Sequence, residues 1–354
     1  MRCFRLTKCA ENPILRPNPL NAWEERAVLN PAVVYHPEDG VFSMYYRAAG
    51  NDWDHLIHIG LATSRDGVHF TRAQEQPVLS PQRQGFDGGC VEDPRITELE
   101  GVAYMTYAYR PYPPGQYWLR TTNPTEAYGV SPNAPKALVK NITSTALAIL
   151  EGPTQIKRLG RITLSQVDDR DVMLFPEKIG GRYCRLSRPV AWSGEGYPNP
   201  QPAIWINFSS SLLDWDERRT ALLMKAEQPW EQKKIGAGAP PIRTDAGWLL
   251  LYHGVDTVGK GIYRTGAVLL DGEDPTHVIA RTPEPILEPE EDYELRGIYN
   301  GCVFPTAAVV KDGTLYVYYG CADQYCCLAT CRLHDLTEYL LRHCRIIEAA
   351  AAQV

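Results

Sequence analysis

No stretch of this sequence approaches the roughly 18 consecutive apolar residues that a membrane-spanning helix requires. The opening run, MRCFRLTKCAENPIL, is also too polar for the apolar core of a secretion signal, so a cytoplasmic protein is expected. Basic residues are in short supply: 36 Lys and Arg stand against 42 Asp and Glu, a formal net charge of -6. Nucleic-acid binders usually carry a basic stripe, and anionic membrane surfaces ask for the same, so neither is expected as a partner. Any cationic site must then be a local cluster on an acidic background. CxxC pairs are missing too, although there are ten cysteines. The closest set, Cys321, Cys326, Cys327 and Cys331, lies in β-like apolar sequence (YYGCADQYCCLATCRL). It reads as reduced core thiols in a reducing compartment, with no metal site expected.

What the sequence does contain is a repeat. Composition is ordinary for a globular chain, 44% apolar and 22% charged over 354 residues. Five segments share a proline, a short apolar strand, a turn with Gly, and a second strand ending in aromatic or polar residues. They begin at Asn30 (NPAVVYHPEDGVFSMYYRA), Glu92 (EDPRITELEGVAYMTYAYR), Phe175 (FPEKIGGRYCRLSRP), Pro240 (PPIRTDAGWLLLYHG) and Phe304 (FPTAAVVKDGTLYVYYG). The aligned prolines Pro31, Pro94, Pro176, Pro241 and Pro305 are spaced by 63, 82, 65 and 64 residues. DG and GG between alternating apolar runs mark β-hairpins. Most repeats continue into a further apolar strand and a polar edge, as in IHIGLATSRDGVHF and AIWINFSSSLLDW. Four strands per repeat of about 60 residues describe a propeller blade. The expected architecture is therefore all-β: a single five-bladed β-propeller domain spanning residues 1–354, with a short C-terminal helix in LHDLTEYLLRHCRIIEAAAA packed outside. The long second spacing marks an insertion near residues 111–141, rich in Pro, Gly and Asn, expected as a surface loop whose aromatics could serve an interface or an acceptor pocket.

In a propeller the ends of the innermost strands face an axial funnel, and the repeat places unusual polar residues there. Asn30 precedes the first proline and Arg47 closes that hairpin. Glu92, Asp93 and Arg95 flank the second proline, Glu177 and Lys178 follow the third, and Arg188 closes the third hairpin. His253 and Asp323 end the fourth and fifth. One such charge is ordinary solvated surface, but convergence from several blades costs several kcal/mol unless the charges are paired or used. A glycoside-cleaving enzyme needs a carboxylic acid to protonate the leaving oxygen. An inverting hydrolase adds a carboxylate base for water. A phosphorolytic enzyme needs cations and donors for an anion that is already nucleophilic.

The blocks GGCVEDPRIT, VMLFPEKIGGRY, LSRP, KKIGAGAPPI, GWLLLYHGV, YRTGAVLLD and YYGCAD, in this order from about Asn12 to Leu333, resemble those of glycoside hydrolase family 130. That family comprises β-mannoside phosphorylases and some β-mannosidases on a five-bladed propeller. The resemblance implies that Asp93 is the general acid, relaying its proton through a sugar hydroxyl. It implies phosphate contacts from Arg47, Arg158, Lys178, His253 and Tyr263, and mannosyl contacts from Asn30 and Asp323, with Arg188 beside the substrate. Hydrolytic members lack the basic phosphate positions. Here that set is present, so the resemblance favours phosphorolysis, with a water-using β-mannosidase as the alternative and a non-catalytic sugar-binding propeller as a remote one. Between KRLG and FPEK the chain departs from the common pattern by two extra residues, close to Asp168, Asp169 and Asp171. The expected reaction turns a β-mannoside and inorganic phosphate into α-mannose 1-phosphate and a shortened acceptor, with no metal or organic cofactor. Linkage, acceptor and oligomeric state, including any homo-oligomer, stay open at this level.

Overall fold

The computed structural model describes residues 3–116, 119, 130–131 and 133–346. After a short strand β1 (Thr7–Lys8), the strands fall into five antiparallel groups. The first is β2 (Ala27–His36), β3 (Val41–Ala49), β4 (Ile57–Ser64) and β5 (Thr71–Arg72). The second is β6 (Cys90–Leu99), β7 (Val102–Arg110), β8 (Ser144–Gly152) and β9 (Gln155–Arg161). The third is β10 (Asp169–Leu174), β11 (Tyr183–Pro189), β12 (Ile204–Ser209) and β13 (Ala221–Met224). In the fourth, β14 (Lys234–Ala237) and β15 (Ile242–Thr244) pair with the same β16 (Gly247–Val255), followed by β17 (Tyr263–Leu270) and β18 (Val278–Arg281). The fifth is β19 (Val303–Lys311), β20 (Thr314–Cys321) and β21 (Tyr325–Arg332).

These are five propeller blades, and two observations show that the ring closes. First, β1 supplies the outer strand of the last blade by pairing with β21, so the chain's start is tied to its end. Closure of this kind hides the strand edges that would otherwise invite aggregation. Second, an apolar cluster fills each of the five seams. Tyr45 and Leu61 meet Met105 and Tyr107 between blades one and two. Leu147 and Ile162 meet Val172 and Leu174 between two and three. Met173 and Leu186 meet Trp248 and Leu250 between three and four. Leu249 and Leu269 meet Val317 and Leu315 between four and five. Val28 and Phe42 meet Tyr318 and Leu328 between five and one. Middle strands such as β16 are buried on both faces because each blade is sandwiched, while outer strands such as β9 (QIKRLGR) stay polar, which is why the sequence shows long apolar runs as well as alternation.

The C-terminal helix Leu333–His343 begins where the sequence places it and ends at His343, burying Leu336 and Leu340 against blades four and five. Of the 111–141 insertion, Gly115 and Gln116 hydrogen-bond to the backbone of Asn51, Asp52 and Asp54, and Lys136–Val139 forms one helical turn. Of its aromatics, Tyr112 is half-buried and bonded through its backbone to the Asn141 side chain, while Tyr117, Trp118 and Tyr128 lie outside the described residues. The cysteines of blade five are strand residues, and Cys321 Sγ lies 3.1 Å from Cys327 Sγ. Among the described residues no helix is long and apolar enough to cross a membrane.

Candidate active site

Three innermost strands break register at the same place. Asn30–Pro31 sit in a bulge opposite Tyr46, Asp93–Pro94 opposite Tyr107, and Asp171–Val172 opposite Ser187. The first residue of each pair has positive φ, 47°, 53° and 61°. Asn and Asp tolerate that left-handed conformation better than most residues because their short polar chains bond locally. A bulge re-aims a side chain, and here it turns all three toward the axis. The aligned position in blade three is therefore Asp171. The expectation built on Pro176 is corrected: Pro176 lies at the opposite end of β10.

One pocket collects side chains from every blade: Asn30 and Arg47, Asp93, Arg170 with Asp171 and Arg188, Lys234 with His253 and Tyr263, and Phe304 with Asp323. Tyr299 and Cys302, in the segment entering blade five, complete it. A site lined by all five blades must lie on the ring axis. Its walls differ chemically. Blades five, one and two contribute Asp323, Asn30, Arg47 and Asp93. Blades three and four contribute Arg170, Arg188, Lys234 and His253 around Asp171.

On the first wall, Asp93 Oδ1 accepts hydrogen bonds from Asn30 Nδ2 at 2.8 Å and Arg47 Nη1 at 3.0 Å. Arg47 also pairs with Glu92 Oε2 at 2.9 Å. Asn30 fits only because Gly320 stands opposite: a Cβ there would collide with Asn30 Oδ1. Asp323, at a positive φ of 54° after β20, is pushed up to about 6 by burial, with Asp93 and Glu92 adding to the effect against Arg47. It is thus a carboxyl able to hold or share a proton near neutrality.

On the second wall, Asp171 Oδ2 takes a 2.6 Å bond from Arg188 Nε, and Oδ1 lies 3.4 Å from Arg95 Nη2. Buried Arg95 also donates to the carbonyls of Asp93 and Gly238, so it ties blades two, three and four beneath the pocket. Arg170 is held two-pronged by Asp168, at 2.9 and 2.5 Å. Burial, with the Arg188 charge adding to it, pushes the Lys234 ammonium down to about 7. Its Nζ lies 5.0 Å from the centroid of the Tyr263 ring, within cation–π range. Burial drives His253 well below its ordinary value, so its ring is neutral at physiological pH. Neither His253 nitrogen has a hydrogen-bond partner among the described residues, and Nε2 is 3.7 Å from Asp171 Oδ2. Gly236 leaves the gap: a Cβ there would press on the His253 ring and lie 2.6 Å from Asp171 Oδ2. An unpartnered buried imidazole beside three cations is a site prepared for an anion.

A family profile described as β-1,4-mannooligosaccharide phosphorylase matches residues 6–342. The chain belongs to glycoside hydrolase family 130. Among curated members, a 1,2-β-oligomannan phosphorylase of Thermoanaerobacter sp. (strain X514) is 34% identical, covering 94% of this chain and 99% of that protein. A β-1,4-mannooligosaccharide phosphorylase of Ruminococcus albus is 30% identical, covering 94% and 90%. A solved β-1,2-mannobiose phosphorylase from Listeria innocua, in complex with β-1,2-mannobiose, superposes with a TM-score of 0.74 at 25% identity, covering 95% and 99%.

Against the residues expected for family 130, the structure gathers Asn30, Arg47, Asp93, Arg188, His253, Tyr263 and Asp323 in the pocket. Two expected phosphate positions lie outside the pocket, a third, Arg47, is on the Asp93 wall paired with Asp93 and Glu92, and Arg188, expected beside the sugar, stands among the cations instead. Arg158 is on β9, the outer strand of blade two, where Nε meets Asp87 Oδ2 at 2.7 Å and Nη2 meets the Ser80 carbonyl at 2.5 Å. Lys178 is on the turn after β10 and pairs with Glu100 Oε1 at 2.9 Å. Glu100 follows β6 at the end away from Asp93, seven residues or roughly 23 Å along an extended strand. Glu177 shares that turn, pointing toward Arg243 at 3.8 Å. In their place stand Arg170 and Lys234, which the sequence reading left unassigned. Lys178→Ala is accordingly expected to leave the phosphate KM within about twofold, because the ammonium lies outside the pocket and its exposed pair with Glu100 is worth little. A tenfold rise in steady-state assays would return Lys178 to the site.

Proposed function

We propose that this chain catalyses the reversible, inverting phosphorolysis of β-mannosides, giving α-D-mannose 1-phosphate and a shortened acceptor. The observation that carries the reading is the division of the pocket: Asp93 on one wall, and Arg170, Arg188, Lys234 and neutral His253 on the other. Single displacement needs an acid at the leaving oxygen and a nucleophile on the opposite face of the anomeric carbon. Asp93, fixed by Asn30 and Arg47, supplies the proton as the C1–O bond breaks, relayed through a sugar hydroxyl. Hydrogen phosphate, seated on the cations with the neutral Tyr263 hydroxyl beside them, forms the new bond to C1. Asp323 and Asn30 hold the mannosyl hydroxyls. The named phosphorylase activities of the relatives support the same reaction.

A hydrolase would need a base where phosphate sits. Asp171 is the carboxylate on that wall, but the Arg188 and Arg95 guanidiniums outweigh its burial and hold it well below the usual carboxylate range. Such a carboxylate is a poor base for water near neutrality. Phosphate is a co-substrate in this scheme, and no other cofactor is invoked. A cytoplasmic location, with the cysteines as reduced thiols, belongs to the same proposal.

The test is incubation of the purified protein with β-1,2- and β-1,4-mannobiose, with and without phosphate, following mannose 1-phosphate and free mannose. Sugar phosphate that appears only with phosphate is expected, and the faster disaccharide names the linkage. Mannose released equally fast without phosphate would make the protein a hydrolase.

A further inference from the structure

Asp171 is the residue this reaction does not explain. A carboxylate placed among the cations of an anion site opposes the anion, and replacing it with a neutral group would strengthen the attraction. It is nonetheless buried at the pocket wall, 3% exposed, at a bulge that forces a positive φ. Its partners do not use it up. Arg188 Nε occupies one position on Oδ2 at 2.6 Å, Arg95 approaches Oδ1 at a long 3.4 Å, and the Asp169 carboxylate is engaged separately by the Arg188 backbone N–H. A carboxylate has about four lone-pair positions, so acceptor capacity remains on the side that faces His253. Gly236 keeps that side open, since a Cβ there would sit 2.6 Å from Oδ2.

We propose that Asp171 is a specificity residue that selects hydrogen phosphate by accepting the hydrogen bond of its P–OH group. The inference rests on the phosphorolytic reading of the pocket and refines it. Three ionised or ionisable side chains, Arg170, Arg188 and Lys234, together with the His253 ring, provide donors for the unprotonated oxygens. Asp171 takes the one oxygen that carries a proton. Sulfate has the same size and tetrahedral shape but no proton near neutral pH, so one of its oxygens would face the Asp171 carboxylate with two lone pairs opposed and nothing between them. Rejection of this kind, by an acceptor left unpaired and repelled, is stronger than a hydrophobic or steric filter achieves. Arsenate, which keeps a proton, would pass. The ionised state of Asp171, which its guanidinium neighbours favour, is the state that this role requires.

The experiment compares phosphate with sulfate in two measurements. In phosphorolysis by the wild-type enzyme, the inhibition constant of sulfate is expected to lie at least about 100-fold above the KM for phosphate. Asp171→Asn keeps an oxygen for Arg188 and gains an N–H that can donate to any tetrahedral oxyanion. In that variant the ratio is expected to narrow tenfold or more. Titration calorimetry of the unliganded proteins with inorganic phosphate and with sulfate gives the same ratio where turnover of the variant is low, and the thermal midpoint reports whether it is folded. A wild-type enzyme that sulfate inhibits near the phosphate KM overturns the proposal without any variant, and leaves the reaction intact. So does a folded Asp171→Asn protein with undiminished discrimination. A protein with no phosphate-dependent turnover removes the phosphorylase reading itself, and the calorimetric ratio then still decides whether Asp171 selects.

Discussion

Asp93→Asn is expected to lower kcat for phosphorolysis by roughly 10²–10⁴-fold, the span that a positioned general acid contributes. Synthesis from mannose 1-phosphate should fall by the same factor, because forward and reverse reactions share one transition state. The variant should still fold. An amide oxygen can accept from Asn30 and Arg47 where the carboxylate does now, and Arg47 retains its 2.9 Å contact with Glu92. The thermal midpoint is therefore expected to move by only a few degrees, while KM values change little. A leaving-group series adds a signature that a merely structural role would not produce. An aryl mannoside whose phenolate departs without a proton needs no acid, so its turnover should suffer far less than that of mannobiose. Equal losses on both substrates, or turnover like that of the wild type, would remove Asp93 from the role.

How much of this was legible beforehand depended on which residue types marked the strands. Blades one, two and five announce their inner hairpins with proline and a DG or GV turn, and Pro31 and Pro94 stand at the bulges themselves. Asn30, Asp93, Arg47 and Asp323 could therefore be placed on the funnel from sequence. Blade three has no proline at its bulge. Val172 occupies that position, and Pro176 sits five residues after Asp171, past the end of the strand, so alignment on prolines pulled Lys178 toward the axis and left Arg170 and Asp171 unassigned. The signal that does run through all three bulges is an Asn or Asp able to take positive φ, and Asp171 carries it. Lys234 was hidden for another reason. The inner strand of blade four is interrupted between Ala237 and Ile242, so the hairpin beginning at Pro240 accounts for only its outer half. A proline-based repeat registers turns and chain direction, and side-chain aim is set by the bulge.

The interrupted strand makes Lys234 the most informative cation. It lines the pocket with no hydrogen bond or ion pair among the described residues, only the Tyr263 ring at 5.0 Å, and burial holds it at about 7. Removing it as Lys234→Ala should cost a charge-assisted contact of about 1.5–3 kcal/mol, a rise of roughly 10- to 150-fold in the KM for phosphate. The KM for the mannoside should change much less. The pH dependence follows with its sign. An arriving anion favours the ammonium, so above about pH 7 binding must be accompanied by proton uptake at Lys234. Its contribution to the KM for phosphate should be flat below pH 7 and rise by up to tenfold per pH unit above it. Phosphate's own ionisation lies in the same range, and Lys234→Arg separates the two. A guanidinium stays charged throughout, so that variant keeps only the part belonging to phosphate, and the ratio of the two profiles isolates the lysine. Superimposable profiles, or a Lys234→Ala enzyme whose phosphate KM stays within twofold of the wild type, would mean that Lys234 does not hold the nucleophile and that Arg170, Arg188 and His253 suffice.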